Sequence, residues 1–267
     1  MLLKSKLKKL INKILSLVDL SIEKRSRIKK IEDNHSLIVD FGLLKYIKEH
    51  DRRSNYIDNL NYSKSQLRQD LFVLNELNYK KNGFFVEFGA TNGVHLSNTY
   101  LLEKKFNWDG LLSEPAKIWH KSLLKNRICK IDKNCIWKVS GKTLNFKESD
   151  GAEFSTISSF SNIDNNKKLR KNGRTYSVST LSLEDFLAKH NSPKIIDYLS
   201  IDTEGSEYSI LEKFDFDKYA FRVITVEHNY TENREKIFNL LSKNGYIRKF
   251  EELSLFDDWY VLPKLIS

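Results

Sequence analysis

The chain has 267 residues, 40% of them hydrophobic, with three prolines and two cysteines. That is enough for one large α/β domain with an appendage, and it excludes a disulfide-stapled scaffold or a zinc framework. The formal charge of +10 is uneven: residues 1–30 hold ten Lys/Arg and two acids, net +8, leaving +2 for the other 237 residues. A nearly neutral body is not a general nucleic-acid-binding surface, so no nucleic-acid partner is expected. Cys129 and Cys135 are expected to be small core residues of a protein in a reducing, cytoplasmic setting.

In chain order, Leu3, Leu7, Leu10, Ile11, Ile14, Leu15 and Val18 recur at three-and-four spacing with lysines between them. This predicts a basic amphipathic helix within a segment 1–30. Lys4, Lys6, Lys8, Lys9 and Lys13 interrupt any membrane span, and the uninterrupted apolar run of a signal peptide is missing. Two roles are expected for residues 1–20: packing on the body or a second subunit, or peripheral association with an anionic membrane surface. Residues 31–62 read as a helical lead-in and 63–267 as the main domain.

Within that domain a helix is predicted over 64–80, a strand over 84–88 and a helix near 97–105. A strand over 109–113 ends at Glu114, where Pro115 stops it, and a helix covers 116–126. Further extended pieces lie at 128–137 and 142–147. Residues 150–175 lack periodicity and read as a mobile loop over the site. A helix with Ser182 as N-cap covers 180–190. A strand at 195–201 ends in Asp202, and another spans 222–227. A helix at 231–243 ends at Gly245, and strand-like runs follow at 246–251 and 258–262. Alternation of this kind predicts a doubly wound, mostly parallel sheet, with the last two strands as an antiparallel edge.

Polar residues recur at successive strand ends: Glu87 with Gly89 and Gly93, then Glu114, then Asp202 with Glu204, then Glu227, His228 and Asn229. In a parallel sheet all of these converge on one crevice. The F-F-V-E-F-G-A-T-N-G run at Phe84–Gly93 lacks both the dinucleotide glycine spacing and a phosphate-binding G-K-[ST]. An acid two residues before the first glycine is typical of S-adenosylmethionine (SAM) sites, where it can receive the cationic methionine end of the cofactor. Glu114 is placed to accept both hydroxyls of a ribose. Glu207 and Glu212 read as helix-surface residues.

The segments VEFGATNGVHLSNTYLLEKKFNWDGLLSEP, YLSIDTEGSEYSIL and ITVEHN resemble the FkbM family of SAM-dependent methyltransferases, over roughly residues 63–262. The resemblance implies a class I methyltransferase (Rossmann-like) fold and methyl transfer to a hydroxyl oxygen, with a sugar in a glycan or glycolipid precursor as the expected acceptor. A polyketide-like small molecule is the alternative acceptor, and a non-catalytic SAM-fold subunit recruited to a membrane complex is the alternative role. Carried over by position, Glu87, Gly89, Ala90, Thr91, Asn92 and Gly93 would form the SAM loop. Ser97 and Asn98 would brace it or touch the cofactor, Glu114 would hold the ribose, Asp202 would also bind the cofactor, and Asp132 or Asn134 would meet the adenine. Two mechanisms fit the strand ends. Glu204, Glu227 or His228 acts as general base, or Asp202, Glu227 and Asn229 or His228 hold Mg²⁺ through oxygen-rich ligands.

Overall fold

A computed structural model describes residues 36–162 and 165–266. The expected basic helix and segment 1–30 lie outside the described residues. A helix α1 at 36–46 is followed by α2 (His50–Asn59) and α3 (Gln69–Glu76). The main sheet contains β1 (Phe84–Phe88), β2 (Asp109–Ser113), β3 (Lys130–Asp132), β8 (Ile195–Ile201), β9 (Ala220–Glu227), β10 (Ile247–Lys249) and β11 (Asp257–Val261). Between them run α4 (Tyr100–Phe106), α5 (His120–Asn126), α6 (Leu183–Lys189), α7 (Glu207–Leu211), α8 (Asn233–Lys243) and α9 (Glu251–Ser254).

The seven strands are ordered β10-β11-β9-β8-β1-β2-β3. β3, β2, β1, β8 and β9 are parallel, and β11 is antiparallel to both β9 and β10. This is the expected class I methyltransferase-like arrangement with an antiparallel edge. The central strands are apolar throughout because both faces are covered. Phe85, Leu112, Tyr198, Val223 and Trp259 pack into the core on one side. Val86, Leu111, Leu199, Ile224 and Tyr260 pack into the core on the other.

The lead-in is built onto the first of these cores. Val39, Leu43 and Ile47 of α1 and its extension are buried in it. Asp40 accepts from Tyr56 Oη at 2.8 Å and from Arg68 Nε at 2.9 Å.

Three elements differ from expectation. The helix predicted over 64–80 starts only at Gln69, because Asp70 draws the preceding turn inward. Its carboxylate accepts from the Ser63 hydroxyl at 2.7 Å and from the Lys64 N–H at 3.3 Å. The run 128–137 is two strands, not one, because Asp132 Oδ1 accepts from the Asn134 N–H and turns the chain. The second piece, β4 (Cys135–Ile136), leaves the main sheet. It joins β5 (Thr143–Glu148), β6 (Thr156–Ile157) and β7 (Arg174–Leu181) in a four-stranded sheet of order β4-β7-β5-β6. Sequence reading assigns most of β7 to a loop or leaves it unassigned. Its alternation is carried by polar side chains, with only Val178 and Thr180 buried. Through β6 this small sheet lies over the carboxyl edge of the main one.

Candidate active site

β1, β2 and β8 end side by side, and their ends wall a narrow crevice. Gly89, Thr91, Glu114, Pro115, Ile136, Phe146 and Asp202 are among its lining residues. Gly89 is forced by this geometry: its φ is +79°, and a Cβ there would lie 1.9 Å from the Asp202 carbonyl oxygen. Only glycine lets the β1 turn and the β8 end approach so closely.

Of the residues expected to hold SAM, Gly89, Thr91, Glu114 and Asp202 line the crevice. Glu114 accepts from the Thr91 N–H at 2.9 Å and from the Ala116 N–H at 2.8 Å. Burial pushes its carboxyl up to about 8, and the Asp202 and Glu148 charges add to this against those two N–H groups.

The other five stand behind the lining. Glu87 was expected to meet the methionine end, but its carboxylate is spent within the protein. It accepts from Ser97 Oγ at 3.1 Å, the Asn98 N–H at 2.8 Å and Thr99 Oγ1 at 2.6 Å, with Arg127 at 3.5 Å. A buried acid has to be satisfied, and these donors are the near ones. Asn98 reaches Ser200 Oγ at 3.0 Å, so it braces and does not line. Ala90 is buried. Asn92 Oδ1 accepts from the Val94 and His95 N–H groups, and the Gly93 carbonyl accepts from Arg127.

Arg127, which sequence reading missed, organises this layer. Its side chain is fully buried and also donates to Glu103 at 3.0 Å, Ser97 at 3.0 Å and Thr99 at 2.8 Å. Asp132 is not at the crevice lining either. It accepts from Lys189 at 2.8 Å and lies 2.9 Å from His190 Nε2, and this side of the crevice is made instead by Cys135 and Ile136 of β4. Burial pushes the Cys135 thiol up to about 12, as expected of a core cysteine.

Next to the crevice opens a wider cleft. Gly89, Thr91, Glu153, Asp202 and Glu204 line both spaces, and Glu227 and Asn229 line the cleft alone. Carboxylate oxygens of Asp202, Glu204 and Glu227 lie within 4.8 Å of one another. The three are not equivalent. Glu204 is bonded to Arg170 Nη2 at 2.5 Å and receives Asn229 Nδ2 at 3.4 Å. Asp202 and Glu227 form the other part. Burial pushes Asp202 up to about 7. Burial, followed by the Asp202, Glu204 and Glu207 charges, drives Glu227 well above the usual range. Glu227 Oε2 is buried without a hydrogen-bond partner.

His228, the third candidate base, lines neither space. Its Nδ1 accepts from the Tyr230 N–H at 3.0 Å, its Nε2 lies 3.8 Å from Asp258 Oδ1, and burial lowers its pKa. Glu207 is not a surface residue. It is buried, and its Oε1 accepts from the Thr203 and Gly205 N–H groups and Thr203 Oγ1, each at 2.9 Å, fixing the turn that carries Glu204. Glu212 is half-buried and 4.0 Å from Lys138.

Phe154, Thr156 and Arg170, from the segment 150–175, cover the junction. Arg170 is buried and donates Nε to the Phe154 carbonyl at 2.6 Å, and Thr156 Oγ1 donates to the Glu204 carbonyl at 2.9 Å. Nothing in the local pattern around Arg170 distinguishes it from Lys168 or Lys171, so sequence reading had no signal for it.

Residues 87–259 match the sequence model of the Methyltransferase FkbM domain, well over half of the chain. Among solved structures, the chain is similar to methyltransferase FkbM from Methylobacillus flagellatus KT, with a TM-score of 0.45 at 11% identity, covering 84% of this chain and 58% of that one. It thus spans little more than half of that structure's length. It is also similar to precorrin-6y C5,15-methyltransferase from Geobacter metallireducens GS-15, with a TM-score of 0.36 at 12% identity, over 67% and 71% of the two chains. A SAM dependent methyltransferase from Aquifex aeolicus gives a TM-score of 0.36 at 9% identity, over 73% and 88%. Likenesses this distant carry no argument about substrate or mechanism. No curated protein matches the chain. The match over residues 87–259 does fix the family: the chain belongs to the FkbM methyltransferases.

Proposed function

We propose that the protein is a SAM-dependent O-methyltransferase acting on a hydroxyl, with a sugar of a glycan or glycolipid precursor as acceptor. The observation that carries this reading is the shared wall of crevice and cleft, where Asp202 and Glu204 face both spaces beside Glu227. A cofactor in one space and an acceptor in the other would meet at carboxylates.

The residues lining the crevice suit the parts of SAM. Glu114 would hold the ribose hydroxyls, Ile136, Phe146 and Pro115 would flank the adenine, and Asp202 would face the cationic end. SAM supplies an already activated methyl group, so positioning and proton removal are what remain for the protein. The Asp202–Glu227 pair would accept the acceptor's O–H proton on whichever carboxyl is ionised, with Glu227 Oε2 the buried atom left without a partner. Asp202, hydrogen-bonded to Glu227, would orient it. Arg170 neutralises Glu204 and keeps that third charge from competing. The sugar assignment rests on the family resemblance, and the hydroxyl-binding capacity of the acid-lined cleft agrees with it.

A metal-assisted route is the second reading, favoured by three carboxylates within 4.8 Å, a donor set that suits Mg²⁺. The Arg170 guanidinium on Glu204 weighs against it, as does Asn229 presenting its Nδ2 to Glu204.

The test is incubation with methyl-labelled SAM and a panel of methyl glycosides and hydroxylated macrolactones, with and without EDTA. Label recovered as a sugar methyl ether supports the reading, and label on a macrolactone moves the acceptor to the polyketide class. EDTA-sensitive labelling moves the mechanism to the metal. SAM binding with no label in any acceptor points to the non-catalytic subunit.

A further inference from the structure

The helix α1 is apolar on two opposite faces. Successive residues advance by about 100° around a helix, so Val39 and Leu43 share one side, which is buried against the core. Leu37, Ile38 and Phe41 share the other and are 66%, 58% and 72% exposed. Lys45, also exposed, continues this outer face one turn beyond Phe41. Scattered apolar side chains are ordinary on a surface, but three contiguous ones on one helix face call for a partner. The helix follows directly on 35 residues outside the description, of which residues 1–30 carry a net +8.

We infer that this outer face is a membrane-docking surface: Leu37, Ile38 and Phe41 enter the interface of an anionic bilayer, while Lys45 and the basic arm bind its headgroups. Apolar insertion combined with basic charge is the chemistry that holds peripheral proteins on such membranes. A second copy of the chain is a poorer occupant. Three side chains fall far short of the ~1,200 Å² that a stable interface buries, and a two-fold pairing would bring two +8 arms together. The chain's own arm is also a poorer occupant, because the face it would cover carries Lys45 and not an acid. Ser36, at the start of α1, lines the cleft, so the docked bilayer would lie beside the acceptor entrance. This inference is independent of the proposed methyl transfer, and titration of SAM into the same variants reads that function separately.

The experiment is co-sedimentation of the full chain with phosphatidylcholine vesicles and with mixed phosphatidylcholine–phosphatidylglycerol vesicles, for wild type and Leu37→Glu/Phe41→Glu. Melting curves and oligomeric state are measured alongside. The expected result is salt-sensitive binding to the anionic vesicles only, weakened about tenfold or more in the double variant, with unchanged melting and mass. Failure to bind anionic vesicles, or equal binding by the variant, overturns the inference. So does a lowered melting temperature or a changed oligomeric state, since either means the face is already covered.

Discussion

Replacing Arg127 by Met should unfold the cofactor-loop layer before it affects anything else. The guanidinium is fully buried and faces two buried carboxylates, Glu103 at 3.0 Å and Glu87 at 3.5 Å. Removing one partner of a buried pair leaves the other charge uncompensated, at a cost of ~3–5 kcal/mol. The Glu103 carboxyl gives an independent measure. Burial would raise it, but the Arg127 charge with the Cys129, Lys104 and Arg127 hydrogen bonds brings it down to about 2 from 4.5. That displacement corresponds to ~3 kcal/mol of linked stability shared among Arg127, Lys104 and Cys129, with the Arg127 charge the largest favourable part. For a domain of this size the melting temperature should fall by ~10 °C. A depressed carboxylate contributes above its unfolded pKa and loses its contribution as pH falls through the folded one. The wild-type advantage over R127M should therefore be full at pH 7 and shrink between pH 4.5 and 2. Urea and thermal denaturation of wild type, R127M and E103Q/R127M would measure this, with the double variant more stable than R127M alone. An R127M protein within ~1 kcal/mol of wild type at pH 7 would refute the reasoning.

Gly89→Ala should lose SAM binding and at least ~2 kcal/mol of stability, because φ is +79° and the new Cβ would meet the Asp202 carbonyl; calorimetry and melting measure the two effects. Glu114→Gln should change the pH dependence of stability. The raised carboxyl stabilises the fold below its unfolded pKa, and that contribution is lost as pH rises toward 8. The variant should therefore gain on wild type between pH 5 and 9 in a series of urea melts. Arg170→Met should expose the segment 150–175 to proteolysis, since Arg170 ties both the Phe154 carbonyl and Glu204, with cleavage sites read by mass spectrometry.

What the sequence discloses and what it hides divide along physical lines. β1, β8 and β9 are apolar runs buried on both faces, with a Gly or acid at each end, so their positions and the crevice at their ends are legible. Glu114 and Asp202 follow from strand order alone. Glu87 misleads because its motif position says nothing about which donors lie nearer, and Ser97, Asn98 and Thr99 take it. His228 misleads similarly: it follows β9 in sequence, yet the antiparallel neighbour β11 supplies Asp258 and draws the ring away from the cleft lining. Arg170, β6 and most of β7 are invisible because their contacts are long-range and their residues largely polar. Neither periodicity nor composition marks a buried guanidinium in a loop.

The central claim is that SAM binds at the carboxyl ends of β1, β2 and β8. Its most direct test is isothermal titration of SAM into wild type, Glu114→Gln and Glu227→Gln. Wild type should bind SAM with micromolar affinity, about −8 kcal/mol. Glu114→Gln should lose about tenfold, the worth of a hydrogen bond to a ribose hydroxyl, and Glu227→Gln should stay close to wild type. Absence of binding by wild type, or equal binding by Glu114→Gln, would contradict this placement of SAM.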